Sequence, residues 1–290
     1  MTDRSSQVSA RIEGIQQLGS VVEAMKGIAA ARARNANAQI EAVNNYARVV
    51  ATAMSQVMAP DPDAAPAAGR AKTRTGLLVF CAEQGFAGPF NDHILDSIKD
   101  EPPDTKLFVV GTRGVSAIGA RRGATPLWSA AMVSHSAGVP KLADAIAAAV
   151  ASYLDTDQID RLEVVNATWD QGRFGVARQT LFPIDRAAFG QPSADMPMTY
   201  LPVGAVLAQL GFDYLHAMIC KAALHAFAAE NEARMTAMSF AGSQITRELQ
   251  TYQAILRRVR QEAITAEIIE LGTGVALTLR SRAKGLGPRD

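Results

Sequence analysis

Catalysis and metal binding need reactive side chains at set spacings, and this chain offers few. Its cysteines, Cys81 and Cys220, lie far apart with no C-x-x-C spacing, which argues against a zinc site or a disulfide framework and fits a reducing compartment. His93, His135, His216 and His225 form neither an H-E-x-x-H motif nor an i,i+4 pair, so a metal site is not expected. No G-x-x-x-x-G-K-[ST] phosphate loop occurs. Gly111-Thr-Arg-Gly and Gly85-Phe-Ala-Gly lack the G-x-G-x-x-G pattern and read as turns after strands. Neither a catalytic residue nor a cofactor site is expected.

Composition narrows the function further. Lys and Arg number 29 against 28 Asp and Glu, a net charge of +1, so nothing overall draws the chain to nucleic acid. The start, MTDRSSQVSARIEG, lacks the apolar run of a signal peptide. The most apolar long stretch, Val203 to Ala229, is interrupted by Asp213, His216, Lys221 and His225, so direct membrane insertion is not expected.

What the sequence does specify is a pair of long helices. Val8, Ile12, Ile15, Gly19, Val22, Lys26, Ala29, Ala33, Ala36, Ile40, Val43, Ala47, Val50, Met54 and Val57 step by threes and fours, a heptad stripe broken by one charge. No proline interrupts residues 1–59. Fifty helical residues would make a rod of about 75 Å, whose stripe needs a partner helix. The other end supplies one: Met235, Met238, Gly242, Ile245, Leu249, Tyr252, Leu256, Val259, Ala263 and Ala266 step the same way, and the stripe then drifts to Ile268, Leu271 and Val275. The spacing predicts one antiparallel, left-handed coiled coil from the two chain ends.

The middle of the chain has a different texture. Gly76–Ala82, Lys106–Gly111, Arg161–Trp169 and Arg173–Ile184 read as strands, the last two joined by a turn at Asp170–Gly172. Helical signals fall at Asn91–Lys99, Gly114–Arg121 and Val139–Leu154. The fold class is therefore α/β, a three-layer Rossmann-like domain inserted between coiled-coil helices. The expected divisions are an N-terminal helix over 1–59, a Pro-rich linker over 60–72, the α/β domain over 73–200, a C-terminal helix over 201–280 and a basic tail over 281–290.

Four stretches carry a resemblance. They are VEAMKGIAAARAR (Val22–Arg34), AENEARMTAMSFAGSQITREL (Ala229–Leu249), YQAILRRVRQEAITAEIIELGTGVAL (Tyr252–Leu277) and GLLVFCAEQGFAGPFN (Gly76–Asn91). In this order and at these positions they resemble the gamma subunit of the F-type ATP synthases and ATPases. Glutamates and glutamines in RIEGIQQLGSVVEA where the family commonly has lysines, Gly88-Pro89 in place of a double glycine, and the tail mark a divergent member, as of an alternative F-type ATPase.

The resemblance implies a non-catalytic rotor. Its partners would be the alpha and beta subunits of the F1 head, the epsilon subunit and the c-ring of the membrane sector. It would sit peripherally on the cytoplasmic face of the cell membrane, carrying torque between the rotor ring and the catalytic head. Met25, Lys26, Arg32, Arg34, Arg234 and Met235 match family positions facing the beta-subunit levers, although methionines on such a helix equally serve as core. Arg260, Gln261, Thr265 and Glu267 match positions that bond to the alpha/beta ring, against the alternative of a solvated face. Leu271 and Val275 would enter its apolar bearing, and Tyr200 would meet the rotor ring. The competing readings are a coiled-coil scaffold with an α/β binding head, and an α/β enzyme that dimerises through its helices.

Overall fold

The computed structural model describes residues 2–58, 74–184 and 198–284, with backbone alone at residues 2, 3, 122 and 274–284. The expected linker over 60–72, most of the stretch leading to Pro202 and the end of the basic tail lie outside the described residues. Helix α1 (Thr2–Val57) and helix α5 (Val203–Lys284) enclose an α/β body in sequence. Two compact units result. One comprises the start of α1 up to Met25 together with α5 from Met238 onward; the other runs from Lys26 to Ala237.

The body contains strand β1 (Thr75–Phe80), helix α2 (Phe90–Ser97), strand β2 (Lys106–Val110), helix α3 (Thr112–Arg122) and strand β3 (Trp128–Ala130). A 3-10 turn (Ser136–Gly138) then leads into helix α4 (Val139–Asp155), followed by strands β4 (Arg161–Asp170) and β5 (Arg173–Phe182). The sheet order is β3-β2-β1-β4-β5. β1 pairs in parallel with β2 and β4, and β2 with β3, while β4 and β5 form an antiparallel hairpin. Gln171 and Gly172 turn that hairpin at φ of 46° and 80°, the left-handed pair that matches strand twist. The short strand β3 gave no signal in the sequence.

Parallel strands joined by helices are covered on both faces, so their side chains are apolar throughout instead of alternating with polar ones. Leu78, Phe80, Phe108 and Val110 point to one core, shared with Ile146 and Val150 of α4, Ala36 and Ala47 of α1, and Ile219 and Phe227 of α5. Leu77, Val79, Leu107 and Val109 point to the other, with Ile94 of α2 and Ile118 of α3. Each such large side chain contributes about 1.5–3 kcal/mol by leaving water. Two helices, α4 and α5, contain stretches long and apolar enough to cross a membrane. In α4 that apolarity is spent on the core, through Val139, Leu142, Ala143, Ile146, Ala147 and Val150.

Every position of the heptad stripe predicted on α1 is buried or half-buried, as is every one predicted on α5 from Met235 to Ala266. Within the unit formed by the helix ends, a Cβ on Gly19 would lie 3.4 Å from Ile245, and one on Gly242 would lie 3.9 Å from Val22. The Arg11 guanidinium sits 5.9 Å from the centre of the Tyr252 ring, within reach of a cation–π contact. Beyond Ala266 the pattern changes, with Ile268 and Leu271 64% and 65% exposed.

Where β2 turns into α3, Gly111 has φ of 106°, and a Cβ there would fall 2.4 Å from the Cys81 carbonyl oxygen. Gly119, inside α3, has nothing within 4 Å. Gly111→Ala is therefore expected to cost more than about 2 kcal/mol, and Gly119→Ala to stabilise by about 0.5–1 kcal/mol. Chemical denaturation of both variants checks the pair.

At the edge of the sheet where the parallel strands begin, Glu163 accepts hydrogen bonds of 2.6 Å from Arg161 and 2.6 Å from Arg178, and Arg178 also pairs with Glu101. Burial alone would raise the Glu163 carboxyl, but the two guanidiniums outweigh it and hold the group below the usual carboxylate range. A depressed folded pKa stabilises the protein above the unfolded value, about 4.3, and that stability is lost as pH falls through the folded value. Glu163→Gln should therefore lower stability at pH 7 and flatten the decline of melting temperature below about pH 4.5. Melting curves across pH 3–7 test this.

Candidate functional site

In an open α/β sheet the ends where parallel strands finish form a crevice, deepest where the strand order reverses, and ligands bind there. Here the reversal falls at β1, which has β2 on one side and β4 on the other. The loop leaving β1, Cys81 to Pro89, lies at this edge. Its start is fixed by the Cys81 N–H donating to Val110 O (2.8 Å) and the Ala82 N–H donating to the Asn91 side-chain oxygen (2.8 Å).

Two carboxylates fill the crevice. Glu83 accepts N–H groups from Thr112 (3.0 Å), the first residue of α3, and from Met132 (2.9 Å), just beyond β3, as well as the Thr112 hydroxyl (2.9 Å). A helix start exposes unpaired N–H groups and a positive dipole end, a natural anion seat. The chain's own carboxylate already occupies it. Glu230 of α5 accepts the backbone N–H groups of Glu83 (3.3 Å) and Gln84 (3.2 Å).

Arg234, one helical turn after Glu230, completes the arrangement. It pairs with Glu230 and donates to the carbonyls of Gly85 (3.1 Å) and Gln84 (3.3 Å) and to the Asn231 side-chain oxygen (3.1 Å). Asn231 in turn donates to Phe227 O (2.8 Å). Glu230 and Arg234 are 3% and 4% exposed. A buried ion pair is tolerated only when both partners also satisfy their remaining hydrogen bonds, as they do here. The crevice thus takes α5 where another α/β domain would take a ligand.

Among the described residues the remaining polar groups serve packing and helix contacts. Burial, with Glu230 nearby, pushes the Cys81 thiol up to about 12, so it is no nucleophile at neutral pH. Cys220 lies 3.9 Å from the His216 ring, whose Nε2 is 3.0 Å from Asp144 and 3.3 Å from Pro140 O. Burial and then Asp144 push that thiol up to about 11, and the cluster fastens α4 to α5. Burial, aided by Lys221, lowers the pKa of His225. Among the described residues no three His, Cys, Asp or Glu side chains are placed to share a metal ion.

The residues anticipated from sequence fall into different settings. Met25, Lys26 and Met235 are half-buried and Arg34 is exposed. Arg32 is half-buried and donates to the Gln84 side-chain oxygen at 3.4 Å. Arg234 differs most from the expectation of a ring-facing cation, because its donors are used inside the chain. Arg260, Gln261, Thr265 and Glu267 are all exposed, and the Thr265 hydroxyl donates back to Gln261 O (2.9 Å). Tyr200 is fully exposed, beside Met198 and Leu201, which are also exposed. The side chain of Val275 is outside the described residues. Glu83 and Glu230 were not anticipated. The i,i+4 spacing of Glu230 and Arg234 on one helix was the available signal for that pair.

A family model for the ATP synthase matches residues 4–277. The ATP synthase gamma chain of Moorella thermoacetica is 28% identical over 277 residues, covering 91% of this chain and 95% of its own length. That of Geobacter sp. strain M21 is 25% identical over 277 residues, covering 92% and 96%. Among solved structures, a chain of the Euglena gracilis mitochondrial ATP synthase, in an assembly of OSCP, F1 and c-ring, aligns with a TM-score of 0.64 at 16% identity. The alignment covers 100% of this chain and 99% of that one. A chain of the Tetrahymena thermophila mitochondrial ATP synthase central stalk and c-ring aligns with a TM-score of 0.57 at 19% identity, covering 76% and 99%. The mixed sheet and long C-terminal helix are shared with these.

Glu230→Gln should cost about 3–5 kcal/mol, because Arg234 is then buried without a counter-charge. The double variant Glu230→Gln, Arg234→Met should cost less than the sum of the single variants. Denaturant titrations of the three variants measure the difference.

Proposed function

The chain belongs to the ATP synthase gamma-chain family, and from that premise we propose how its helices and α/β body work as a central-stalk subunit. The subunit is non-catalytic and belongs peripherally to a membrane-associated complex. We assign it to the cytoplasmic face of the membrane. Its partners are the alpha and beta subunits of the F1 head, the epsilon subunit and the c-ring. In our reading α1 and α5 pair antiparallel as a left-handed coiled coil, supported by the unexposed heptad stripes and the approach of Gly19 to Ile245. Gly19, Ala29, Ala33 and Ala36 let the two backbones come close, which suits a shaft turning in a narrow bore.

The observation that carries the reading is the far part of α5. Ile264, Ile268, Ile269 and Leu271 are 57–65% exposed, on a helix whose heptad positions from Met235 to Ala266 are buried or half-buried. Burying such side chains against a surrounding ring yields about 1.5–3 kcal/mol each. The contacts are non-directional, so they change little as the helix turns, and Leu271 and Val275 serve as the bearing. Arg260, Gln261, Thr265 and Glu267 add directional bonds of about 1.5–3 kcal/mol apiece, enough to favour a rotary position and weak enough to break at each step. Lys26 and Arg34, with Met25 and Met235, form the surface passing the beta-subunit levers. Arg234 turns inward and contributes to that surface only by holding its frame, while Arg32 is half-buried beside Gln84 at its edge. Tyr200 is the contact to the rotor ring.

Torque then acts as allostery by rotation, in which one asymmetric surface offers different contacts to three like sites. Two measurements test the scheme. A Gly19→Cys, Ile245→Cys double variant should close a disulfide under mild oxidant, and failure to do so would refute the antiparallel register. In the assembled complex, Arg260→Glu should reduce ATP-driven ion pumping several-fold with assembly intact; unchanged pumping would remove Arg260 from the ring contact.

A further inference from the structure

A cleft of about 490 Å³ lies between α1, α5 and the loop entering α4, lined by Arg32, Asn35, Gln39, His135, Ser136 and Phe227 among others. No acidic side chain lines it. Arg32 enters with a full positive charge, and among the described residues its one partner is the neutral Gln84 side chain, at 3.4 Å. A guanidinium has five donors, so most of its capacity is unspent. Ser136 is 93% buried (7% exposed), yet among the described residues its hydroxyl makes no hydrogen bond. Its oxygen is open to the cleft, where it can bond to an occupant with acceptor oxygens. The His135 ring and the Asn35 and Gln39 amides add further donors.

The walls are held in place before anything binds. Gln84, which steadies Arg32, is tied by its N–H to Glu230 and by its carbonyl to Arg234. The loop carrying His135 and Ser136 is anchored by Met132 N–H on Glu83 and closed by Gly138, where a Cβ would press on Val133 at 3.1 Å. Phe227, 3% exposed, lines the apolar side.

We propose that this cleft is a binding site for a phosphate-class oxyanion, with Arg32 supplying the charge-assisted bonds and Ser136 and His135 the others. A tetrahedral oxyanion has acceptors on every side, which suits guanidinium, imidazole and hydroxyl donors around one cleft, and no carboxylate among the lining residues favours a cation. The space accommodates either free phosphate or a phosphoryl group carried on a nucleoside. The inference is independent of the stalk assignment, because it concerns this chain's own cleft.

The test is calorimetric titration of the purified full chain with inorganic phosphate, with adenosine monophosphate and with adenosine. Saturable phosphate binding of one equivalent is expected, weakened at least tenfold by Arg32→Ala and severalfold by Ser136→Ala. It should be unchanged by Arg48→Ala, an exposed cation of α1 outside the cleft, with circular dichroism confirming folded variants. Tighter binding of the nucleotide than of phosphate would identify a nucleotide-borne group, and equal or weaker binding the free ion; either supports the site. Absence of saturable phosphate binding, equal loss in Arg48→Ala, or binding of adenosine as strong as that of the nucleotide would overturn it.

Discussion

The arrangement rests on one buried ion pair. Glu230 and Arg234 are side by side on α5, and between them they take the N–H groups of residues 83 and 84 and the carbonyls of residues 84 and 85. These backbone groups belong to a loop at the edge of the sheet, where no neighbouring strand can satisfy them. Left unpaired in a dry crevice, each would cost about 1–3 kcal/mol. The helix satisfies them, and the loop in turn keeps two opposite charges bonded on all sides. Neither element is stable in this position without the other. The same interaction therefore fixes which residues of α5 face the sheet.

That constraint explains why an α/β body with the usual crevice does no chemistry. Glu83 places a negative charge against the start of α3, where a phosphate would otherwise be attracted, and Glu230 places another nearby. A second anion would meet two carboxylates in a low-dielectric setting. Oxyanions are repelled from the crevice, whereas the separate cleft at Arg32 has no acidic lining.

Much of this was legible in the residues. The heptad steps of α1 and α5 identified the unexposed positions because an uninterrupted helix has one period, and a side chain's spacing then determines which face it occupies. The parallel strands were legible as apolar runs, since both faces of the sheet are covered. Strand β3 was not, because three residues, Trp128 to Ala130, are too few to show a period. The inward turn of Arg234 was also hidden. An arginine on an exposed helix and one with its donors spent on a distant loop look alike until the loop's unpaired carbonyls are located, and those are properties of the fold.

The same reasoning separates the residues of α5 by task. Up to Ala266 the heptad positions are buried or half-buried, while Phe240 and Ile264, which lie off the stripe, are 74% and 57% exposed. Beyond it Ile268, Ile269 and Leu271 follow one another too closely to share a single face, and all three are exposed. A helix surrounded by partners needs apolar residues on several sides, while a helix packed on one neighbour needs them on one. In the proposed stalk the change of period at Ala266 corresponds to a change of environment, from one partner helix to an enclosing surface. That arrangement would give a rotating part a stiff stretch held by packing and an end whose contacts are alike in every orientation.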